Sequence, residues 1–278
     1  MRDGQFSRTA LKVAASCVSL GQHPVWGPRL PEGLAETSER LILAAGLYSA
    51  RALSAAKNPT LLRFYEWAER RSSGSFVGLA RRKIFVDEQV HAALERGCRR
   101  VVVIGAGLDT LAYRLAAQRP ELACIELDHP ATSTAKARAL AKLGRPANLS
   151  LVAADLTKTP LPDALVTCPA WDPSEPAVFV AEGLLMYLDD AAIDGLFAAL
   201  KTLAAPGSRV VFSQLRDLDD AGWFVQASLK LIGEPWLSSC RFDQLPEFAE
   251  RIGWRLVERG QLDALVDLEV FAVVEKPG

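Results

Sequence analysis

The sequence predicts an α/β protein, a mostly parallel sheet with helices on both faces and a helical layer in front of it. Three observations carry this. From residue 100 onward, short apolar runs alternate with helical stretches, the pattern of a doubly wound sheet. The first run, Val101–Ile104, is unbroken and rich in β-branched residues, as a strand buried on both faces requires, and Gly105-Ala106-Gly107 stops it before a helix. The last two runs, Trp254–Arg259 and Leu268–Val274, are joined by Gly260–Asp267, too short for a crossover helix, so they should form an antiparallel hairpin.

The chain of 278 residues can bury one sizeable core and fits one elaborated domain or a domain with a cap. With 50% hydrophobic and 23% charged residues it has globular composition. A formal net charge of −1 provides no overall field for nucleic acid or an anionic membrane, and neither partner is expected. Five cysteines (17, 98, 124, 168, 240) are scattered, without C-x-x-C pairs or metal-ligand spacing, and read as small buried hydrophobes in a reducing cytoplasm. The run Val13–Leu20 follows Lys12, but serines interrupt it and no small-residue cleavage site follows, so export is not expected. The longest apolar stretch, Ala177–Leu188, holds Glu182 and is too short to span a bilayer.

Taken in order, residues 1–34 end in a Pro/Gly-dense segment (Pro24, Gly27, Pro28, Pro31, Gly33) that should be irregular. Residues 35–56 read as one Ala/Leu-rich helix. After Asn58-Pro59 a second amphipathic helix is expected over Thr60–Glu69, then a turn at Ser72–Ser75 and a longer helix over Phe76–Arg96. Residues 1–99 thus form a helical layer or lid before a nucleotide-binding part, 100–278. Strands are predicted at 100–104, 122–127, 149–153, 176–181, 208–214, 254–259 and 268–274. The stretch 215–250, with Trp223, Phe224, Trp236 and Phe242, follows the fifth strand and should sit as an inserted cap at the carboxyl edge of the sheet, where ligands bind; a simple packed helix pair is the alternative.

The strand, the Gly105-Ala106-Gly107 turn and the helix Leu111–Gln118, with Asp109 and Thr110 as capping residues, make a nucleotide cradle. Glycine admits close approach of the backbone, and a helix start offers free N–H donors. A dinucleotide fingerprint would put a small residue at Thr110. Asp128 ends the second strand, 21 residues beyond Gly107, where a carboxylate can accept from both ribose hydroxyls of a nucleoside; a cap for the next helix is the alternative. Glu126 is the other acidic candidate, and strand alternation is expected to point it differently. Asp155 could bond an adenine amino group while Leu156 packs on the ring edge, or Asp155 could simply form a turn. Glu182 is a carboxylate in an apolar strand end, costly to bury without a partner. Arg81, Arg82 and Lys83 are three consecutive basic residues, which usually mark a solvated helix face. Tyr187 follows Glu182 closely. His23, His91 and His129 have no metal or nucleophile partner at fixed spacing, no metal site is expected, and His129 reads as a structural residue of its turn. No G-x-S-x-G elbow occurs.

The stretch Gly105–Leu115, G-A-G-L-D-T-x-x-Y-R-L, resembles the first motif of class I S-adenosylmethionine-dependent methyltransferases, and in this longer form the leucine carboxyl methyltransferase family. Ala80–Asp87 (A-R-R-K-I-F-V-D), the Asp128-His129-Pro130 turn, the Asp155-Leu156 pair and Val180–Leu188 (V-A-E-G-L-L-M-Y-L) are similar to further motifs of that family, so the resemblance is specific over roughly 76–190. It implies a Rossmann-like class I methyltransferase sheet and S-adenosyl-L-methionine as cofactor. By the same resemblance, Gly105, Ala106 and Gly107 cradle the nucleoside, Asp128 holds its ribose, and Asp155 and Leu156 contact the adenine. Arg82 clamps the methionine carboxylate, with Arg81 one residue away as the alternative. Glu182 borders the sulfonium region, and Tyr187 stands near the acceptor or is an aromatic packing residue. Leu111 departs from the family, in which many relatives carry Arg directly after the motif. The activity implied is O-methylation of a carboxylate or hydroxyl on a small molecule or peptide terminus. A nicotinamide-dependent oxidoreductase and a non-catalytic S-adenosylmethionine-binding protein remain as alternatives.

Overall fold

The computed structural model describes residues 7–58, 60, 62, 75–218, 235–261, 263 and 268–277. Its centre is one seven-stranded sheet: β1 (Arg100–Ile104), β2 (Ala123–Asp128), β3 (Leu149–Ala153), β4 (Ala177–Ala181), β5 (Arg209–Leu215), β6 (Arg255–Arg259) and β7 (Glu269–Glu275). The order is β3-β2-β1-β4-β5-β7-β6. The pairs among β1 to β5 are parallel, whereas β7 runs antiparallel to both β5 and β6. The expected final hairpin is present, with β7 slotted between β5 and β6. All seven predicted strands lie within a residue of their observed places, because each is a short β-branched run bounded by turn residues.

Alternation along the central strands builds two cores. Val102, Ile104, Ile125, Leu127, Phe179 and Phe212 face one side, against α7 (Leu161–Val166), α8 (Asp190–Leu203) and α9 (Leu245–Arg251). Phe197 sits at the middle of that side, edge-on to Phe212, Phe248 and Trp254. Val101, Val103, Cys124, Val178, Val180 and Val211 face the other side. There they meet α5 (Leu111–Gln118), α6 (Pro130–Leu143) and the N-terminal helices α1 (Arg8–Leu20), α2 (Leu34–Ala44), α3 (Ala50–Ala56) and α4 (Ser75–Glu95). The N-terminal helical layer therefore shares a core with one face of the sheet.

Two N-terminal expectations change. The helix expected over 35–56 is two helices, because Gly46 takes φ +70 and breaks the run between Ala44 and Ala50. Residues 8–20 form a capped helix, with the Ser7 hydroxyl accepting from the Ala10 N–H at 3.1 Å. The helix expected over Thr60–Glu69, the turn at Ser72–Ser75 and most of the expected cap, including Trp223 and Phe224, lie largely outside the described residues. Among the described residues no helix is long and apolar enough to cross a membrane. All five cysteines are free and buried.

Candidate functional site

The carboxyl ends of β1, β2 and β4 open into a cavity of about 510 Å³. Gly105 (φ +67) and Gly107 (φ +51) form its floor. Both need the left-handed backbone that glycine supplies without cost, and a Cβ at either would crowd a neighbour. A Cβ at Gly105 would stand 3.1 Å from Leu184, and one at Gly107 would stand 3.0 Å from Ala10 of α1. Helix α1 thus lies directly over the turn, and its Ala10, Val13, Ala14 and Cys17 make one wall. Burial pushes the Cys17 thiol up to about 11 despite the neighbouring Lys83 cation.

The backbone donors of the turn are already engaged. Gly105 and Ala106 N–H both donate to the Leu127 carbonyl, at 2.9 and 3.1 Å, and Gly107 N–H donates to Asp128 Oδ2. Asp109 N–H donates to the Ala106 carbonyl at 2.8 Å, and Leu111 N–H donates to Asp109 Oδ1 at 2.6 Å. These five amides, four in the turn and one at Leu111, are satisfied inside the protein. Asp109 provides the capping bond, while Thr110 holds the N-cap position and its hydroxyl accepts from Arg114 Nε at 3.3 Å.

Asp128 lines the cavity beside the turn, its Oδ1 accepting from His129 N–H at 2.6 Å. Burial raises its pKa, outweighing the two backbone donors that favour the charged form. The following helix is capped by His129 Nδ1, which accepts from Ala131 N–H at 3.3 Å, so His129 has the expected structural place in the turn. Glu126 requires a correction. Two residues from Asp128, it shares that residue's side of the pleat, so depth and not direction separates the two. Glu126 is buried under α6, where Lys136 Nζ reaches it at 2.6 Å and also donates to the Asp109 carbonyl at 2.5 Å. Burial raises the Glu126 pKa.

On the other side of β1, β4 delivers Glu182 into the cavity opposite α4. Arg82 Nε donates to Glu182 Oε1 at 2.8 Å, and its Nη1 pairs with Glu269 of β7. Lys83 reaches the same Glu182 Oε1 at 2.7 Å and pairs with Asp109 Oδ2. Arg82 and Lys83 are buried, not a solvated helix face, and both line the cavity. Burial opposes their charges, but the surrounding carboxylates outweigh it and hold both firmly protonated. Burial likewise opposes the Asp109 charge, and Lys83 outweighs it. Arg81 does not line the cavity and donates to the Gln261 carbonyl at 2.6 Å.

Tyr187 lies on the cavity wall, in the 3-10 turn Leu185–Tyr187. Leu237 N–H donates to the Met186 carbonyl at 2.7 Å, fixing Pro235 and Leu237 to that same wall. Asp155 and Leu156 do not line the cavity. Asp155 Oδ1 accepts from the Thr157 hydroxyl at 2.6 Å and its N–H at 3.1 Å, a turn that lowers its pKa to about 2, and Leu156 packs against the core. Leu111 is buried in the core. The motif arginine that does occur, Arg114, ties three segments together, donating to Asp87 at 2.9 Å and to the Glu32 carbonyl at 3.1 Å. Lys83, Lys136 and Glu269 went unassigned in the sequence. Their signal lies in pairings across 26, 10 and 187 residues, which spacing within one segment does not display. Among the described residues no group of three or more His, Cys, Asp or Glu could hold a metal ion.

The strand order and the antiparallel β7 define a class I methyltransferase sheet, and solved structures share it. A DUF574 family protein from Streptomyces avermitilis superposes with TM-score 0.61 at 19% identity, covering 86% of this chain and 96% of that one. Magnesium protoporphyrin IX methyltransferase from Synechocystis PCC 6803, solved with bound SAH, gives TM-score 0.51 at 14% identity over 78% of this chain and 94% of that one. Residues 10–201 match the family model described as leucine carboxyl methyltransferase, and the chain belongs to that family. A relative from Mycobacteroides abscessus, named "Putative S-adenosyl-L-methionine-dependent methyltransferase", is 36% identical over 187 residues, 66% of this chain and 60% of its own length. One of the same name from Mycobacterium tuberculosis H37Ra is 36% identical over 177 residues, 62% of this chain and 49% of its own length. The chain thus spans about half to three-fifths of the length of these relatives.

Proposed function

We propose that this chain is an S-adenosylmethionine-dependent O-methyltransferase acting on a carboxylate or hydroxyl oxygen of a small molecule or peptide terminus. The observation that carries the reading is the arrangement around β1: a side-chain-free glycine floor, the Asp128 carboxylate on the β2 side and the Arg82–Glu182 charge cluster on the β4 side. A nucleoside joined to a zwitterionic amino acid matches that sequence of surfaces. The satisfied amides of Gly105, Ala106 and Gly107 argue against a nicotinamide dinucleotide, whose pyrophosphate needs free N–H donors and would here face Asp128 and Asp109.

When bound, S-adenosylmethionine supplies an electrophilic methyl group on a cationic sulfur. Asp128 would accept from the ribose hydroxyls, with Gly105, Ala106 and Gly107 beneath the nucleoside. Asp155 and Leu156 lie outside the cavity lining, and an adenine would meet them only by reaching past Asp128 to the turn that follows β3. Arg82 would hold the methionine carboxylate and Glu182 would border the sulfonium, a negative charge suited to a cationic group. Helix α1, within the 1–99 layer, would serve as a lid that excludes water, and the 215–250 stretch as a cap on the acceptor side. A carboxylate acceptor is already nucleophilic at neutral pH, so alignment and dehydration suffice for it. A hydroxyl acceptor gives up a proton, and Tyr187, which lines the cavity, would be the residue to assist. Five free, buried cysteines fit a reducing cytoplasm.

The test is transfer of radiolabelled methyl from S-adenosylmethionine to a panel of small carboxylic acids, phenols and short peptides. Label in a product supports the reading, and its release by mild alkali separates esters from ethers. Tight cofactor binding with no labelled product across the panel and cell extracts would leave a non-catalytic binding protein instead.

A further inference from the structure

We propose that Lys83 binds the cofactor, taking up with Arg82 the α-carboxylate at the amino-acid end of S-adenosylmethionine, so that two cations grip that group. The inference rests on the reading of the cavity given above and extends it to a residue whose neighbours are the site's own charges.

The case is geometric. Lys83 and Arg82 are consecutive on α4, and both reach Glu182 Oε1, at 2.7 and 2.8 Å, which brings the two cationic heads together at one point on the wall. An ammonium has three N–H donors. Asp109 and Glu182 engage two of them, and the Lys83 side chain, 7% exposed, lines the cavity, where the third has a ligand group to meet. The guanidinium likewise spends two of its five N–H donors on Glu182 and Glu269. Strand order sets the direction. Asp128 ends β2 and Glu182 follows β4, on opposite sides of the β1 glycine turn, so a nucleoside anchored at Asp128 extends its amino-acid end toward Lys83 and Arg82.

Charge favours the second cation. Asp109, Glu182 and Glu269 surround this corner, and Arg82 alone would leave it two net negative charges. With Lys83 the corner carries one net negative charge. The amino-acid end of the cofactor, with carboxylate, ammonium and sulfonium, carries one net positive charge. The two are complementary.

The experiment compares two ligands by calorimetry: S-adenosylhomocysteine, and 5′-methylthioadenosine, which keeps the adenosine and the sulfur but lacks the amino-acid end. Lys83→Met is expected to weaken S-adenosylhomocysteine about tenfold or more, as loss of a charge-assisted hydrogen bond does, while methylthioadenosine changes by less than about twofold. Lys83→Arg should restore most of the loss. The double variant K83M/D109N removes the buried pair together, avoids an uncompensated Asp109, and serves if K83M alone fails to fold. An equal loss for both ligands, or none for either, overturns the assignment and makes Lys83 a structural counter-ion. Wild-type protein that binds methylthioadenosine as tightly as S-adenosylhomocysteine also overturns it while sparing the nucleoside site. Wild-type protein that binds neither overturns both this assignment and the cofactor reading.

Discussion

At the scale of single residues, the site is a set of buried charges neutralised by one another, and its behaviour with pH follows. Only the ionised Asp128 can accept from both ribose hydroxyls, and burial raises its pKa from the ordinary aspartate value. Affinity for S-adenosylhomocysteine should therefore be flat near neutrality and fall as pH drops through that raised value, sooner than an exposed carboxylate would dictate. Titrations from pH 8 to pH 4 check this, and Asp128→Asn should bind weakly with most of the pH dependence gone. Asp128 and Glu182 stand out in the sequence because each follows or ends an apolar run where a charge needs a reason, whereas Arg82, inside a basic cluster, stands out only through the resemblance of Ala80–Asp87 to a family motif. Lys83 and Lys136 do not stand out. A lysine within a basic cluster, or on a helix of low amphipathicity, looks like a solvated face until the fold supplies Asp109 and Glu126 as partners. The Asp128–Glu126 distinction failed for a simpler reason, since residues two apart on a strand share a face.

At the scale of elements, the glycine turn and α1 form one unit. Gly107 holds φ +51 with Ala10 of α1 against the place a Cβ would occupy. Gly107→Ala should cost about 1–2 kcal/mol from the left-handed backbone alone, with the α1 contact adding to it. The same chemical change at Gly195, exposed in α8 with nothing within 4 Å and no positive φ, should stabilise by about 0.5–1 kcal/mol. Urea denaturation of the two variants checks the opposite signs; equal effects would contradict the role assigned to the turn. Helix α1 was the element the sequence concealed. Its inward residues Ala14, Cys17, Val18 and Leu20 do recur at helical spacing, but they sit beside the Pro/Gly-dense segment that follows, which reads as irregular. The break at Gly46 was hidden by flanking residues that favour helix on both sides.

At the scale of the whole molecule, the sheet was almost fully legible, because buried parallel strands must be short apolar runs between turn residues and the last hairpin had no room for a crossover. The engagement of the turn amides was not legible, since it depends on β2 placing the Leu127 carbonyl and the Asp128 carboxylate next to β1. That engagement leaves Gly105, Ala106 and Gly107 without an N–H to offer a pyrophosphate, which favours the proposed nucleoside–amino acid ligand over a dinucleotide. The measurement that bears on it most directly is calorimetric titration of the protein with S-adenosylhomocysteine and, separately, with NADH. Saturable binding of S-adenosylhomocysteine, lost in Asp128→Ala, with no heat from NADH, is the predicted result. Saturable binding of NADH without binding of S-adenosylhomocysteine would contradict the account.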